Sequence, residues 1–85
     1  MPSLLKDRVA IITGAGRGIG KAIAVAFARE GARLFLAART ESELRDTVSA
    51  CEGTNGSAHA VVTDVSKWDE VENLAITAIQ RAGQQ

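Results

Sequence analysis

The 85-residue sequence holds one cysteine, Cys51, so no internal disulfide can form, which suits a reducing compartment. It has one histidine, His59, and no second His or Cys at ligand spacing, so the pattern of a metal site is missing. Ten basic and ten acidic residues cancel. Without a surplus of one sign there is no electrostatic case for nucleic acid or an anionic membrane as partner. No apolar run approaches the roughly 20 residues that a membrane-spanning helix needs. The opening Met1-Pro2-Ser3-Leu4-Leu5-Lys6-Asp7 does not read as a signal peptide, and no repeat, low-complexity tract or linker follows. The expectation is one small cytoplasmic domain over residues 1–85. Its 46% hydrophobic and 24% charged residues are ordinary for a folded chain. At this size the share of surface buried is small and the stability margin thin.

What is present is an alternation of two periodicities. Arg8 to Thr13 is a short β-branched run ending at a glycine, read as a strand buried on both faces. From about Gly18 to Glu30 the period is helical, with Ile19, Ile23 and Phe27 recurring every four residues, Ala22 and Ala26 beside them, and Gly31 as the stop. Arg33 to Ala37 predicts a second strand. A second helix starts at Thr40, where Thr40-Glu41-Ser42-Glu43 has capping-box form and Leu44, Val48 and Cys51 make an apolar stripe. Gly53-Thr54-Asn55-Gly56 is a turn, and Ala58 to Thr63 a third strand with Val61 and Val62 as core candidates. Ser66-Lys67-Trp68-Asp69 gives another capping box, followed by a helical face of Val71, Leu74, Ala75, Ala78, Ile79 and Ala82. The order β-α-β-α-β-α implies an α/β, three-layer Rossmann-like half fold with parallel strands ordered 3-2-1. The apolar edge of the first strand, Val9 to Ile12, is then left open, a place for self-association unless another chain covers it.

The most informative stretch is Thr13-Gly14-Ala15-Gly16-Arg17-Gly18-Ile19-Gly20, in which a strand runs into glycines and the glycines into a helix. Glycine permits a tight turn and the close approach of a phosphate, and the helix N-terminus favours negative charge. A P-loop is excluded by spacing: the residue five before Gly20 is Ala15, and Ala22 stands where Ser or Thr is required. The strict G-x-G-x-x-G fingerprint fails at Ile19. The pattern met is T-G-x-x-x-G-x-G, at Thr13, Gly14, Gly18 and Gly20.

With VAIITGAGRGIG, the helix KAIAVAFAREGA, the strand end LAAR and the stretch VVTDV, the chain resembles the amino-terminal part of the short-chain dehydrogenase/reductase family, from about Leu5 to Ala82. The resemblance implies a dinucleotide held at Gly14, Gly16, Arg17, Gly18, Ile19 and Gly20. An acid at the end of the second strand would favour NAD, but the sequence there reads Ala37-Ala38-Arg39-Thr40. A guanidinium at Arg39 matches a 2′-phosphate, Arg17 can converge on it, and Thr40 can be both cap and phosphate neighbour. By resemblance the cofactor is NADP(H), and Asp64-Val65 meets the adenine, the carboxylate accepting from its amino group.

The remaining polar groups read as structural. Cys51 is a small core residue, and Trp68 a packing residue. Glu41, Glu43 and Asp46 with Arg45 form a solvated helix face, while Asp69, Glu70 and Glu72 answer a helix dipole. In the family, hydride transfer uses a tyrosine four residues before a lysine, with a serine and an asparagine nearby. This sequence has no tyrosine, so no catalytic residue is assigned. The expectation is a truncated dinucleotide-binding domain of an NADP-dependent oxidoreductase that does not turn over by itself. The alternative is a stand-alone nucleotide-binding or interaction module that pairs through its open sheet edge.

Overall fold

The computed structural model describes residues 5–82; Met1 to Leu4 and Gly83 to Gln85 lie outside the described residues, and with them most of the opening segment considered above. The elements are β1 (Val9–Thr13), α1 (Gly18–Arg29), β2 (Arg33–Ala38), α2 (Glu41–Cys51), β3 (Ser57–Val62) and α3 (Trp68–Ala82). The strands form one parallel sheet, β1-β2-β3. This is the 3-2-1 order expected from the sequence, with β2 in the middle.

The central strand carries the core. Leu34, Phe35, Leu36 and Ala37 are all fully buried, each large side chain contributing about 1.5–3 kcal/mol relative to exposure. Side chains alternate along a strand. Leu34 and Leu36 join Ile12, Ala24, Ala28, Leu44 and Cys51 in one cluster, which places α1 and α2 on the same face. Phe35 and Ala37 point to the other face, where α3 contributes the buried Leu74 and Ala78. Arg33 ties that layer down. Its guanidinium donates to the carbonyls of Arg81 (2.7 Å) and Ala82 (3.2 Å), satisfying groups that a helix leaves open at its C-terminus.

Gly31 ends α1 as its sequence position suggests. It sits at φ 94°, with its N–H on the Ala28 carbonyl (3.0 Å) and the Ala32 N–H on the Phe27 carbonyl (3.1 Å), the pairing of a Schellman motif.

Three core expectations are corrected. The buried stripe of α1 is Ala24 and Ala28, not Ile19, Ile23 and Phe27, which are all exposed. Close approach of helix to sheet selects the small residues and leaves the larger ones exposed. β1 itself is covered on one face only: Ile12 is buried under the α1–α2 layer, whereas Val9 and Ile11, on the face that α3 covers over β2, are about half exposed. In β3 and α3, Val62, Trp68 and Ile79 are exposed, and β3 packs through its partly buried residues.

Both helix starts also differ from the capping boxes. Thr40 is the N-cap of α2 but makes no side-chain cap bond, and the Glu43 side chain lies against Gly16 and near Arg17. Before α3, the Ser66 N–H (2.9 Å) and hydroxyl (2.6 Å) both donate to Asp64 Oδ1, and the acid that reaches back is Glu70, whose Oε1 accepts the Asp64 N–H at 2.8 Å.

Candidate functional site

The in-register parallel pairing, Thr13 beside Ala37 and Ala38 beside Val62, brings the carboxyl ends of all three strands to one rim. In open α/β sheets that rim is where ligands bind. A cleft of about 280 Å³ opens there, lined by Thr13, Gly14, Gly16, Arg17, Arg39, Thr40, Glu43, Thr63 and Val65 together with Ala37 and Ala38.

The glycine turn is held from two sides. The Ala15 N–H donates to the Ala37 carbonyl (3.2 Å), fixing the turn to the end of β2. The hydroxyl of Thr47, fully buried in α2, donates to the Ala15 carbonyl at 2.8 Å. Within this frame the glycines divide by task. Gly14 (φ 63°) and Gly18 (φ 62°) adopt the left-handed conformation, and a Cβ on either would meet nothing within 4 Å. Their surroundings are open space at a strand end and a helix start, where a phosphate can come close to backbone N–H groups. Gly20 is different. A Cβ there would collide with the backbone carbonyl of Gly14, so Gly20 is required for the turn to close at all. At Gly16 a Cβ would lie 2.8 Å from the Cβ of Glu43; this glycine lets α2 pack against the turn.

Of the residues expected from the sequence, Gly14, Gly16, Arg17, Arg39, Thr40 and Val65 share the cleft. Ile19 projects into solvent at 80% exposure, and Gly18 borders a shallower groove along α1 with Lys21 and Arg29. Asp64 stands beside Val65. Its carboxylate is held below its ordinary value, first by the Ser66 hydroxyl and then by the Ser66 backbone N–H, with smaller help from Arg39 and Lys67. It is therefore an ionised acceptor at neutral pH.

Two residues of the site went unrecognised in the sequence. Thr47 lies on the same helix face as Leu44 and Cys51, and no spacing rule marks its hydroxyl as an anchor for a turn 32 residues away. Glu43 belongs to the cleft, its Oε2 3.9 Å from the Arg17 guanidinium, rather than to the solvated face with Glu41 and Arg45, which pair with each other at 2.6 Å.

A larger groove, about 620 Å³, runs past the β3 edge between α2 and α3, lined in part by Arg45, His59 and Arg81. It holds neither an open glycine turn nor a helix N-terminus, so the smaller cleft is the better candidate. His59 stacks on Phe35 at 5.4 Å, and burial, followed by Arg81 and Arg33, lowers its pKa. Burial raises that of the Cys51 thiol, which is therefore protonated and inert. Among the described residues no group of three or more His, Cys, Asp or Glu could hold a metal, and no helix is long and apolar enough to cross a membrane.

Comparison with known proteins agrees with this fold. Residues 8–84 match the short chain dehydrogenase family. An uncharacterized oxidoreductase of Listeria monocytogenes is 43% identical over 79 residues, which is 93% of this chain and 32% of that protein. One of Mycobacterium tuberculosis is 42% identical over 79 residues, 93% of this chain and 30% of that protein. Among solved structures, the hydroxysteroid dehydrogenase of Escherichia coli superimposes with a TM-score of 0.88 at 37% identity, covering 93% of this chain and 34% of the other. A metagenomic short-chain oxidoreductase in complex with NADP gives 0.88 at 35%, covering 93% and 36%. The chain thus spans about a third of the length of the relatives it matches. From its Rossmann-like half sheet, its glycine turn and these matches, the chain belongs to the short-chain dehydrogenase family.

Proposed function

We propose that this chain is the NADP(H)-binding portion of a short-chain oxidoreductase, with the adenosine end of the cofactor seated in the cleft at the strand ends. One observation carries the reading: Arg17 and Arg39 line the same cleft as the open turn at Gly14, and no acid stands at the end of β2. The pyrophosphate goes to Gly14, Gly18, Ile19 and Gly20, at the start of α1. The 2′-phosphate goes to Arg39, with Arg17 and Thr40 beside it. Asp64 and Val65 serve the adenine. A metagenomic short-chain oxidoreductase with this fold is in complex with NADP.

The bound cofactor supplies a hydride to a carbonyl, or takes one from an alcohol. The residues of this chain bind and orient it: the glycines admit the phosphates, the arginines choose between 2′-phosphate and 2′-hydroxyl, and Thr47 holds the turn. No residue here is proposed to move the proton that the reaction requires, since the sequence contains no tyrosine to do so in the family's manner.

Arg39→Asp tests the assignment. The variant is expected to bind NADH better than NADPH, reversing the preference of the parent. An unchanged ratio in a folded variant contradicts the placement of the 2′-phosphate.

A second reading, an interaction module, has one observation in its favour: β1 is an edge strand with Val9 and Ile11 half exposed. On that reading, sedimentation shows association that grows with concentration, and Ile11→Lys abolishes it.

A further inference from the structure

Among the described residues, Glu43 is the sole acidic side chain lining the cleft. It stands three residues after Thr40, the N-cap of α2. Its side chain lies across the glycine turn, in the space that a Cβ on Gly16 would need, with Oε1 3.1 Å from that point. Its Oε2 is 3.9 Å from Arg17, and its side chain is only 35% exposed against 85% for Arg17. The carboxylate is thus the better fixed of the two partners, placed by packing rather than by the loose ion pair.

A fixed negative charge in a cleft that also carries two arginines acts in opposite ways on the two forms of the cofactor. A 2′-phosphate approaching Arg17 and Arg39 is repelled by Glu43 and competes with it for the Arg17 guanidinium. A ribose with a free 2′-hydroxyl meets no such repulsion, and its hydroxyl can donate to a carboxylate. Building on the cofactor reading above, we propose that Glu43 is a specificity-determining residue: it stands beside Arg17 and narrows the preference for the phosphorylated cofactor that the arginines create.

The test uses the full chain and two fragments of the adenosine end, adenosine 2′,5′-bisphosphate and AMP, titrated by calorimetry. Glu43→Gln keeps the shape of the side chain and removes its charge. It is expected to raise the affinity ratio of bisphosphate to AMP about threefold to tenfold, the size of one partly screened charge–charge interaction. Glu41→Gln is the control. It removes the same charge from the same helical turn, but from the outer face where Glu41 pairs with Arg45, and the ratio should stay as in the parent. An unchanged ratio in Glu43→Gln, or an equal rise in Glu41→Gln, overturns the proposal while leaving the cofactor site intact. A parent chain that is folded but binds neither fragment overturns the cofactor reading itself, and this inference with it.

Discussion

At the scale of single residues, the glycines separate fold from function. Gly14 and Gly20 belong to one motif, but a methyl group on each meets different surroundings: open space at Gly14, the Gly14 carbonyl at Gly20. Gly14→Ala should therefore cost only the left-handed backbone penalty, about 1–2 kcal/mol, while placing a methyl where the phosphate approaches and so weakening NADPH binding. Gly20→Ala must shift backbone and should lose more than about 2 kcal/mol in a urea melt. Equal stability losses in the two variants would sink this division. The motif was legible because its spacing is enforced by such contacts. Thr47 and Glu43 were not. A hydroxyl on a buried helix face and an acid in a first helical turn each have a commoner explanation, and only the tertiary fold shows that both reach the glycine turn.

At the scale of elements, strand and helix order, the central burial of β2 and the end of α1 at Gly31 could all be read from periodicity and glycine placement. The face that α1 turns to the sheet could not. Two stripes satisfy the helical period, Ile19-Ile23-Phe27 and Ala24-Ala28, set about 100° apart. The stripe that wins is the one whose small side chains permit close packing, which hydrophobicity alone ranks second. Buried and exposed positions of α1 and α2 predict different mutational costs. Leu44→Ala, at a fully buried position in the α1–α2 cluster, should cost about 2–5 kcal/mol. Ile19→Ser, at an exposed position, should stay within about 0.5 kcal/mol. Comparable losses at the two sites in a denaturant series would show that the packing described for the α1–α2 layer is wrong.

At the scale of the whole molecule, the half sheet has its ligand rim at the strand ends and apolar surface beside β1, where Val9 and Ile11 are exposed. The same scale governs its response to pH near neutrality, because His59 is the one histidine in the sequence. Burial, then Arg81 and Arg33, lower its pKa from the ordinary 6.5. The unfolded chain then binds the proton more readily than the folded one. Stability is therefore complete above pH 6.5 and falls as the pH drops from there toward the lowered folded value. The urea midpoint should decline between about pH 7 and pH 5.5, and His59→Gln should flatten that decline. A midpoint that rises over this interval, or a slope that survives the substitution, contradicts the sign.

The central claim is that the cleft at the strand ends receives NADP(H) through Arg17 and Arg39. Its most direct test is a titration of the purified chain with NADPH and, separately, with NADH, circular dichroism on the same sample verifying the fold. The account predicts a folded chain that binds NADPH more tightly than NADH. A folded chain that binds the two equally, prefers NADH, or binds neither would contradict it.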